Sequence, residues 1–562
     1  MNKYLFSKQE YYPVIKRFIM CNYFRAKNFL LFVLFCTLSY FIYGQDKAGI
    51  QLANKIEPIA KEYYRISDFS KALEGYLILD SIKPGNTEYN YRIGICYLNS
   101  SMKSKAYPYL EFAYFQPDAP ENIFIELGRA YHHGLKFDKA LIFYESYKKQ
   151  IEFNPEKKNT DVEQIKDIGR FIQMCRNGER LIRVPLINCD VMNLGPEINS
   201  EYADFGPLVN QDEDLIIFSS KRKATTGTKS DPLTDQYYEN ILFSRKSEGF
   251  WASASSIGPP LHHNKLHDAA LGLSPNGNEL YIYTGDDNAF SARVSGNIYV
   301  SSYKADKWTE PVLIEEINTK EWESSATISG DGTMLIFSSD RPGGFGGTDL
   351  YQCRKTETGS WSEPQNMGGY INTRYDDDGP FIHPSGNKLY FSSKGHNSMG
   401  GYDIFYTQYL DSRHRWTRPV NIGYPINSPD DDIFFVWSPD GERAYFSSER
   451  EDTFGDTDIY MLHRNDDTKE IVGVTGEIID GVNKIPIPAE LMVRDLYSNN
   501  LIGIFGTNKN SGNYSLELIS GRKYSITIKS DGYQDLNSEI ELDKTDGEKK
   551  IIYNFTLRQG RN

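Results

Sequence analysis

A unit of about 55 residues recurs through the middle of the chain, and this period constrains the fold more than any other feature. Its clearest copy runs from Ile371-Asn372 through acids at 376–378 and a turn at 384–386 to the strand-like segment 389–393. The next copy repeats these parts between Ile426 and Ser448. Earlier copies end in Phe337-Ser338-Ser339, Tyr281-Ile282-Tyr283 and Phe218-Ser219-Ser220, which makes five. Later strands of the unit are marked by Trp251, Trp308, Trp361 and Trp416.

Four short strands per unit, separated by Gly- and Pro-containing turns, are typical of a β-propeller blade. Residues 183–470 resemble the propellers of the TolB type, and five copies predict a five-bladed β-propeller. Residues 186–194 resemble an outer strand. We expect them to complete the last blade, which would close the ring without leaving an open sheet edge.

Each copy carries one acid nine residues before its turn glycine, at the predicted start of its innermost strand. In the first copy Glu213 stands in place of that glycine. The five acids are Asp204, Asp268, Glu323, Asp377 and Asp432. One interpretation is a ring of carboxylates at the channel mouth that binds a cation or a basic peptide, because such charges repel unless they are compensated. The alternative is that each acid accepts backbone N–H bonds and fixes a turn between blades.

Two glycines 34 residues apart, Gly94 and Gly128, indicate a second repeat upstream. Alanines and tyrosines recur in phase around both glycines, and small residues of this kind let helix backbones approach closely. The period resembles that of tetratricopeptide repeats. Residues 51–180 are therefore predicted to be an α-helical tetratricopeptide solenoid that ends in a capping helix over 160–180. Pro58 is expected to start or to kink the first helix.

In the tetratricopeptide family the concave face presents residues of the first helix of each repeat to a partner peptide. Carried over by position, these residues are Glu88, Tyr91, Ile95, Leu98, Asn122, Ile125, Arg129 and His132. They form the predicted partner groove. The alternative is that some of them pack against the next domain, since three repeats make a shallow groove.

Strands alternate cleanly in the last part of the chain, residues 471–558. Apolar residues occupy every second position from Tyr514 to Leu518 and from Tyr524 to Ile528, with Gly512 and Gly521 in the turns. This pattern predicts a small antiparallel β-sandwich. It resembles the carboxypeptidase regulatory-like fold, which implies a non-catalytic appendage.

Residues 1–44 are typical of an export signal. Basic residues precede an apolar run from Phe29 to Tyr43, which is short for a bilayer span. Translation from Met20 and an uncleaved anchor are the alternatives at this end. In an oxidising periplasm Cys175 and Cys189 could pair, but the scattered cysteines favour buried free thiols.

Motifs for catalysis are absent from the sequence: it contains neither G-x-S-x-G nor H-E-x-x-H. There is one histidine cluster, formed by His262, His263 and His267. We interpret it as part of a solvated loop rather than as a metal site. We therefore expect no enzyme, no cofactor and no metal. A formal net charge of −14 also disfavours nucleic-acid binding.

The order of signal, helical repeats, propeller and sandwich resembles a family of cell-envelope proteins of Bacteroidota, some of which are linked to type IX secretion and gliding. Members usually end in an OmpA-like domain that binds peptidoglycan. No such domain is recognisable here, so peptidoglycan binding is not carried over. The resemblance implies a periplasmic scaffold or adaptor, associated with the outer membrane through envelope partner proteins. The alternative is a ligand- or glycan-binding sensor that uses the propeller mouth.

Overall fold

A computed structural model describes the chain from residue 47 to residue 560 with internal gaps. The described ranges are 47–152, 162–183, 186–223, 237–263, 266–285, 296–384, 386–410, 415–465, 471–496, 501–509, 511–542 and 550–560. The predicted export signal at 1–44 and the alternative start Met20 lie outside them. Two compact units divide the chain, one up to Ile93 and one from Gly94 onward, and each is described by itself.

Seven α-helices come first in the described part of the chain. Their bounds are α1 Lys47–Arg65, α2 Phe69–Ile82, α3 Thr87–Leu98, α4 Ala106–Tyr114, α5 Ile123–His133, α6 Phe137–Glu152 and α7 Val162–Leu181, with a 3₁₀ turn at Lys103–Lys105. In the first unit a methyl group on Gly75 would lie 2.7 Å from Cβ of Ala60, so α1 and α2 pack closely. Pro58 lies inside α1, and the prediction that it starts the helix is wrong. The helix continues past Pro58, and buried alanines, Ala53 and Ala60, lie on both sides of the proline.

Within the second unit, helices also cross at glycine. A methyl group on Gly128 of α5 would lie 2.6 Å from the Tyr144 ring of α6, and one on Gly178 of α7 would lie 2.5 Å from the Phe137 ring. Gly94 faces Leu110 in the same way. Glycine is required at these positions because any side chain would push the helices apart. Among the described residues, no helix is long and apolar enough to span a membrane.

Five antiparallel sheets follow, here numbered I to V. Sheet I contains β2 Asp204–Val209, β3 Leu215–Ser220, β4 Asn240–Ser247, β5 Phe250–Trp251 and β6 Ser255–Ser256. Sheet II contains β7 Asp268–Leu273, β8 Glu279–Gly285, β9 Gly296–Lys304, β10 Lys307–Trp308 and β11 Val312–Leu313. Sheet III contains β12 Glu323–Ile328, β13 Met334–Ser339, β14 Asp349–Arg354 and β15 Gln365–Asn366.

The last two sheets of this part have the same plan. Sheet IV contains β16 Asp377–Ile382, β17 Lys388–Ser393, β18 Asp403–Leu410, β19 Arg415–Trp416 and β20 Val420–Asn421. Sheet V contains β21 Asp432–Trp437, β22 Arg443–Ser448, β23 Asp458–Arg464 and, from the start of the region, β1 Cys189–Asn193. The first strands β2, β7, β12, β16 and β21 contact one another in this order, and β21 contacts β2 again. The β-rich part is therefore propeller-like.

Eight strands at the end of the chain form two further sheets around a common apolar core. One sheet joins β24 Ile471–Asp480, β27 Asn513–Ile519, β30 Lys550–Ile552 and β31 Phe555–Leu557, and the other joins β25 Glu490–Asp495, β26 Leu501–Gly506, β28 Arg522–Lys529 and β29 Leu536–Leu542. The prediction of a purely antiparallel sandwich is wrong, because β30 and β31 run parallel to β24. Apolar alternation has a period of two in either direction, so it does not encode strand direction.

All four cysteines of the described residues are free and buried: Cys96, Cys175, Cys189 and Cys353. Cys175 and Cys189 are thus not paired, which agrees with the favoured expectation of free thiols. Burial raises the pKa of Cys189 and of Cys353 to about 12. Thiolates are the reactive form, so these two side chains are inert at neutral pH.

Candidate functional site

The five predicted ring acids begin the first strands of the five sheets, and each is fully buried. A backbone N–H from the turn just before each strand donates to each carboxylate. These bonds are Ser200–Asp204 2.7 Å, His263–Asp268 2.6 Å, Thr319–Glu323 3.2 Å, Thr373–Asp377 2.6 Å and Ser428–Asp432 2.6 Å. This is the arrangement that the turn-fixing alternative describes. A cation or peptide at these buried oxygens stays a prediction, and the burial does not favour it.

Cations compensate the buried charge in three of the sheets. The guanidinium groups of Arg222, Arg341 and Arg450 lie 2.6, 3.0 and 3.1 Å from the ring acids of sheets I, III and V. Each arginine stands two residues after the serine that ends the second strand. In sheet IV the same place is Gly395, where a methyl group would clash with Thr373.

Asp377 of sheet IV therefore lacks the arginine that its counterparts in sheets I, III and V have. Its oxygens accept the Ser393 hydroxyl at 2.5 Å and the Thr373 N–H at 2.6 Å. Burial raises the pKa of Asp377 to about 7, despite these hydrogen bonds and with a further contribution from Asp349. For Asp432, which has Arg450 beside it, burial raises the pKa only to about 6.

A second acid cluster lies one residue further along β16. The Asp378 carboxylate accepts the hydroxyl of Ser324 at 3.0 Å, that of Ser338 at 2.5 Å, and that of Ser325. Asp378 is 6 % exposed, whereas Ser324 of the neighbouring strand is half-buried. The two neighbouring acids have separate partners: Asp377 accepts from Ser393 and Thr373, whereas Asp378 accepts from the three serines. Sequence reasoning noted the acid run but singled out only Asp377. The usable signal was Ser324-Ser325 at the matching position of the preceding copy.

Aromatic side chains accompany this cluster on two other first strands. The rings of Phe205 and Phe434 stack with centroids 6.0 Å apart. Phe434 has φ of +59°, an uncommon conformation for a bulky residue. All five first strands also carry a register shift, the mark of a β-bulge. Bulges occur often next to functional sites.

The predicted groove residues lie on α3, on α5 and, for Asn122, at the position just before α5, and they differ in exposure. Glu88, Tyr91, Asn122, Ile125 and Arg129 are exposed or half-buried, whereas Ile95, Leu98 and His132 are buried. Arg129 is paired with Glu126 of its own helix at 3.0 Å. The open part of the α5 face is thus Asn122, Ile125 and Arg129.

His132 contacts the β-rich part through its ring. Nε2 donates to the carbonyl oxygen of Met399 at 2.8 Å, in the loop 394–402 between β17 and β18. Burial lowers the pKa of His132 to about 4, so the ring is neutral at pH 7. Asn177 of α7 donates to Ser398 of the same loop at 2.9 Å. His132 therefore follows the alternative in which groove residues pack against the next domain.

An ion cluster lies beside this contact. Lys103 Nζ is 2.9 Å from Asp430 and 2.7 Å from Glu449, and His133 Nδ1 is 3.3 Å from Asp430. Burial would raise the pKa of Asp430, but His133 and Lys103 outweigh it and hold this pKa below its usual value. Removing one partner of such a buried cluster leaves an uncompensated charge.

The histidine cluster is partly described. His263 Nδ1 lies 3.0 Å from Asp268, and His267 Nδ1 lies 3.9 Å from Glu239. Within the described ranges, no group of three or more His, Cys, Asp or Glu side chains is placed to hold a metal ion. The expectation of no metal and no cofactor stays a prediction.

No known protein family and no curated protein matches the chain by sequence. Several solved structures are similar to it in fold. A TolB protein of Agrobacterium tumefaciens is 16% identical, with a TM-score of 0.29 over 58% of this chain and 96% of that one. An α-L-arabinofuranosidase of Lactobacillus brevis is 15% identical, with a TM-score of 0.32 over 48% and 93%. A periplasmic gluconolactonase of Pseudomonas aeruginosa is 11% identical, with a TM-score of 0.24 over 61% and 96%.

This similarity is coarse and concerns the propeller-like fold alone. It nevertheless corrects one prediction. The expectation that the chain is not an enzyme rested on missing motifs, but structures of similar fold include a glycosidase and a gluconolactonase. Motifs of other folds are no guide to a propeller site, because function is set by local geometry and not by the fold. The exclusion of enzymes is wrong.

Proposed function

We propose that the chain is a scaffold or adaptor of the periplasm that binds partner proteins of the outer-membrane envelope. In this proposal α1–α7 form a tetratricopeptide solenoid, and sheets I–V are the blades of a five-bladed β-propeller. A connection with type IX secretion or gliding belongs to the same proposal.

One observation carries the proposal. The last turn of α5 is hydrogen-bonded to the β-rich part, whereas side chains earlier on the helix remain accessible. His132 and Asn177 attach the helices to the loop 394–402 through buried hydrogen bonds of 2.8 and 2.9 Å. Earlier on α5, Ile125 and Arg129 are only half-buried. A helix held rigidly against a second domain presents its open face in one orientation, which lowers the entropic cost of binding a partner.

The test is crosslinking in intact cells with a single substitution on this face. We expect Ile125→Arg to remove the crosslinked partner, because it places a charge on the half-buried apolar position. Ile142→Arg is the matched control, since Ile142 is also half-buried but lies on α6, outside the predicted groove. Equal crosslinking of both variants and the unaltered protein would overturn the proposal.

A second candidate function is ligand or glycan binding at the propeller mouth. It is favoured by Asp378, whose carboxylate accepts three serine hydroxyls, one of them from the half-buried Ser324. Saturable binding of a glycan or Ca²⁺ that is lost in Asp378→Asn would support it. Conversion of an aryl glycoside by the unaltered protein, but not by this variant, would assign a catalytic role to the same carboxylate.

A further inference from the structure

A cleft of about 730 Å³ lies where three parts of the second unit meet. It lies between the end of α7, the outer strands of sheet IV and the last two sheets of the chain. Its lining includes Leu181 of α7, Tyr370, Arg418 and Val420 at sheet IV, and Leu501 and Arg522 of the last two sheets. The volume is that of a small-molecule site, and such sites occur preferentially between domains.

The charge of this lining is opposite to that of the whole chain. The protein has a formal net charge of −14, yet among the described residues the lining contains two arginines and neither aspartate nor glutamate. Arg522 is neutralised by Asp495 at 2.6 Å. Arg418 forms no ion pair with any carboxylate of the described residues. Its guanidinium instead lies 5.6 Å from the centroid of the Tyr370 ring.

Hydrogen bonds and an ion pair hold the walls in place. The Tyr406 hydroxyl of β18 donates to the Ile502 carbonyl oxygen at 2.7 Å, and Arg415 pairs with Glu490 at 2.9 Å. Both bonds join sheet IV to the last part of the chain. His396 bonds the Ile371 carbonyl oxygen at 2.8 Å, and burial lowers the pKa of its ring. The cleft is therefore pre-formed, and in the described part of the chain Arg418 is the charged side chain of its lining that no carboxylate pairs with.

We propose that this cleft binds a small organic anion whose carboxylate, sulfonate or phosphate group lies next to an apolar ring or chain. Arginine bonds such oxyanions through paired N–H donors. Leucine, isoleucine and valine side chains supply the surface for the apolar part, and Tyr370, which is 54 % exposed, supplies an aromatic rim. The proposal goes beyond the scaffold function, since neither the α5 face nor Asp378 belongs to the cleft.

The test compares two fluorescent probes on the purified full chain. One is 1-anilinonaphthalene-8-sulfonate, and the other is uncharged N-phenyl-1-naphthylamine, which has the same rings without the sulfonate. We expect saturable binding of both. Arg418→Met keeps the apolar stem and removes the charge. It should therefore weaken binding of the sulfonate probe about tenfold, and change the affinity for the uncharged probe by less than about twofold.

Two further variants complete the experiment. Arg354→Met is the matched control, because Arg354 is exposed on sheet III outside the cleft and should leave both probes unchanged. Leu501→Trp fills the cleft and should abolish binding of both probes. Circular dichroism checks that this variant is folded. The proposal is overturned by non-saturable binding, by equal effects of Arg418→Met and Arg354→Met on the sulfonate probe, or by retention of both probes in a folded Leu501→Trp variant.

Discussion

The helical and the β-rich parts of this chain are both built from repeats, but opposite kinds of contact hold them together. The helices cross at glycine, as Gly128 does against Tyr144, with carbon atoms on both sides. Within the sheets, buried carboxylates and amides are hydrogen-bonded to one another, as Asp403 of β18 is to Asn421 of β20 at 2.7 Å. The comparison teaches that side-chain size limits substitution in the helices, whereas hydrogen-bonding capacity limits it in the sheets.

One hydrogen-bonded trio of side chains, an aspartate and two asparagines, recurs in three of the sheets. In sheet IV Asn421 donates to Asp403 and accepts from Asn427 at 2.8 Å. Sheets III and V have the same trio, namely Asp349, Asn366 and Asn372, and Asp458, Asn193 and Asn199. In sheet V the first asparagine comes from β1, more than 250 residues before its partner in sequence. β1 thus supplies to sheet V an asparagine that the other two sheets take from later in the same repeat.

The largest effect is expected from Asp403→Ala. Asp403 is fully buried and accepts the N–H groups of Met399 and Gly400 at 2.9 and 3.1 Å besides the Asn421 amide. The substitution leaves these three buried donors without an acceptor, and this should lower the free energy of unfolding by about 3 kcal/mol or more. Thermal and denaturant unfolding of the purified chain measure this.

Asp331→Ala is the control for that loss. Asp331 also accepts one backbone and two hydroxyl bonds, but it lies in an exposed turn where water replaces them. Asp331→Ala should lower the free energy of unfolding by about 1 kcal/mol or less. Equal destabilisation by the two substitutions would contradict the role given to buried polar groups in the sheets.

A smaller effect is expected from pH, and it should be confined to the sheets. Burial raises the pKa of Asp377 to about 7, from 3.8 in the unfolded chain. Between these values the folded state binds more protons than the unfolded state, so the free energy of unfolding falls as pH rises. The Asp377 contribution is fully present below pH 3.8 and is lost as pH rises through about 7.

Unfolding of the purified chain at pH 5 and pH 7 measures this contribution, expected to be about 2 kcal/mol. Asp377→Asn, which cannot ionise, should reduce the difference by that amount. Hydrogen exchange should show the change in β16 and not in α5, whose contact of Gly128 with Tyr144 has no group that titrates in this range. An unchanged pH dependence in the variant would refute the assignment to Asp377.

Much of the β-rich part could be predicted from local sequence signals. The nine-residue spacing located an acid at the start of each first strand, even where Glu213 replaces the turn glycine. Glu213 adopts φ of +54°, close to +71° for Gly277 in the equivalent turn. Strand direction could not be predicted, because β30 and β31 meet β24 through contacts distant in sequence. The continuation of α1 through Pro58 likewise depends on packing rather than on propensity.

The candidate sites were less predictable because their partners come from different repeats. Asp378 of β16 is defined by Ser324 and Ser325 of β12 and by Ser338 of β13. Burial raises the pKa of Asp377, and Gly395 stands where sheets I, III and V have an arginine beside the acid. Only a comparison of all copies, position by position, reveals such a difference. The packing of His132 on Met399 joins residues 267 positions apart, and no local pattern encodes it.

The smallest effect is expected from adding one methyl group in the helices, and here the sign separates two glycines. At Gly128 the new methyl would lie 2.6 Å from the Tyr144 ring, which is buried and has no room to move. Overpacking of this kind costs about 1–3 kcal/mol, and the better helix propensity of alanine offsets up to about 1 kcal/mol of that. Gly128→Ala should therefore destabilise the chain by about 1 kcal/mol.

The new methyl group of Gly169→Ala in α7 meets no atom within 4 Å, so this variant should stabilise the chain by up to about 1 kcal/mol. Differential scanning calorimetry of both variants decides: stabilisation by both would mean that the helices are not held at glycine contacts, and the contrast between the two parts of the molecule would disappear.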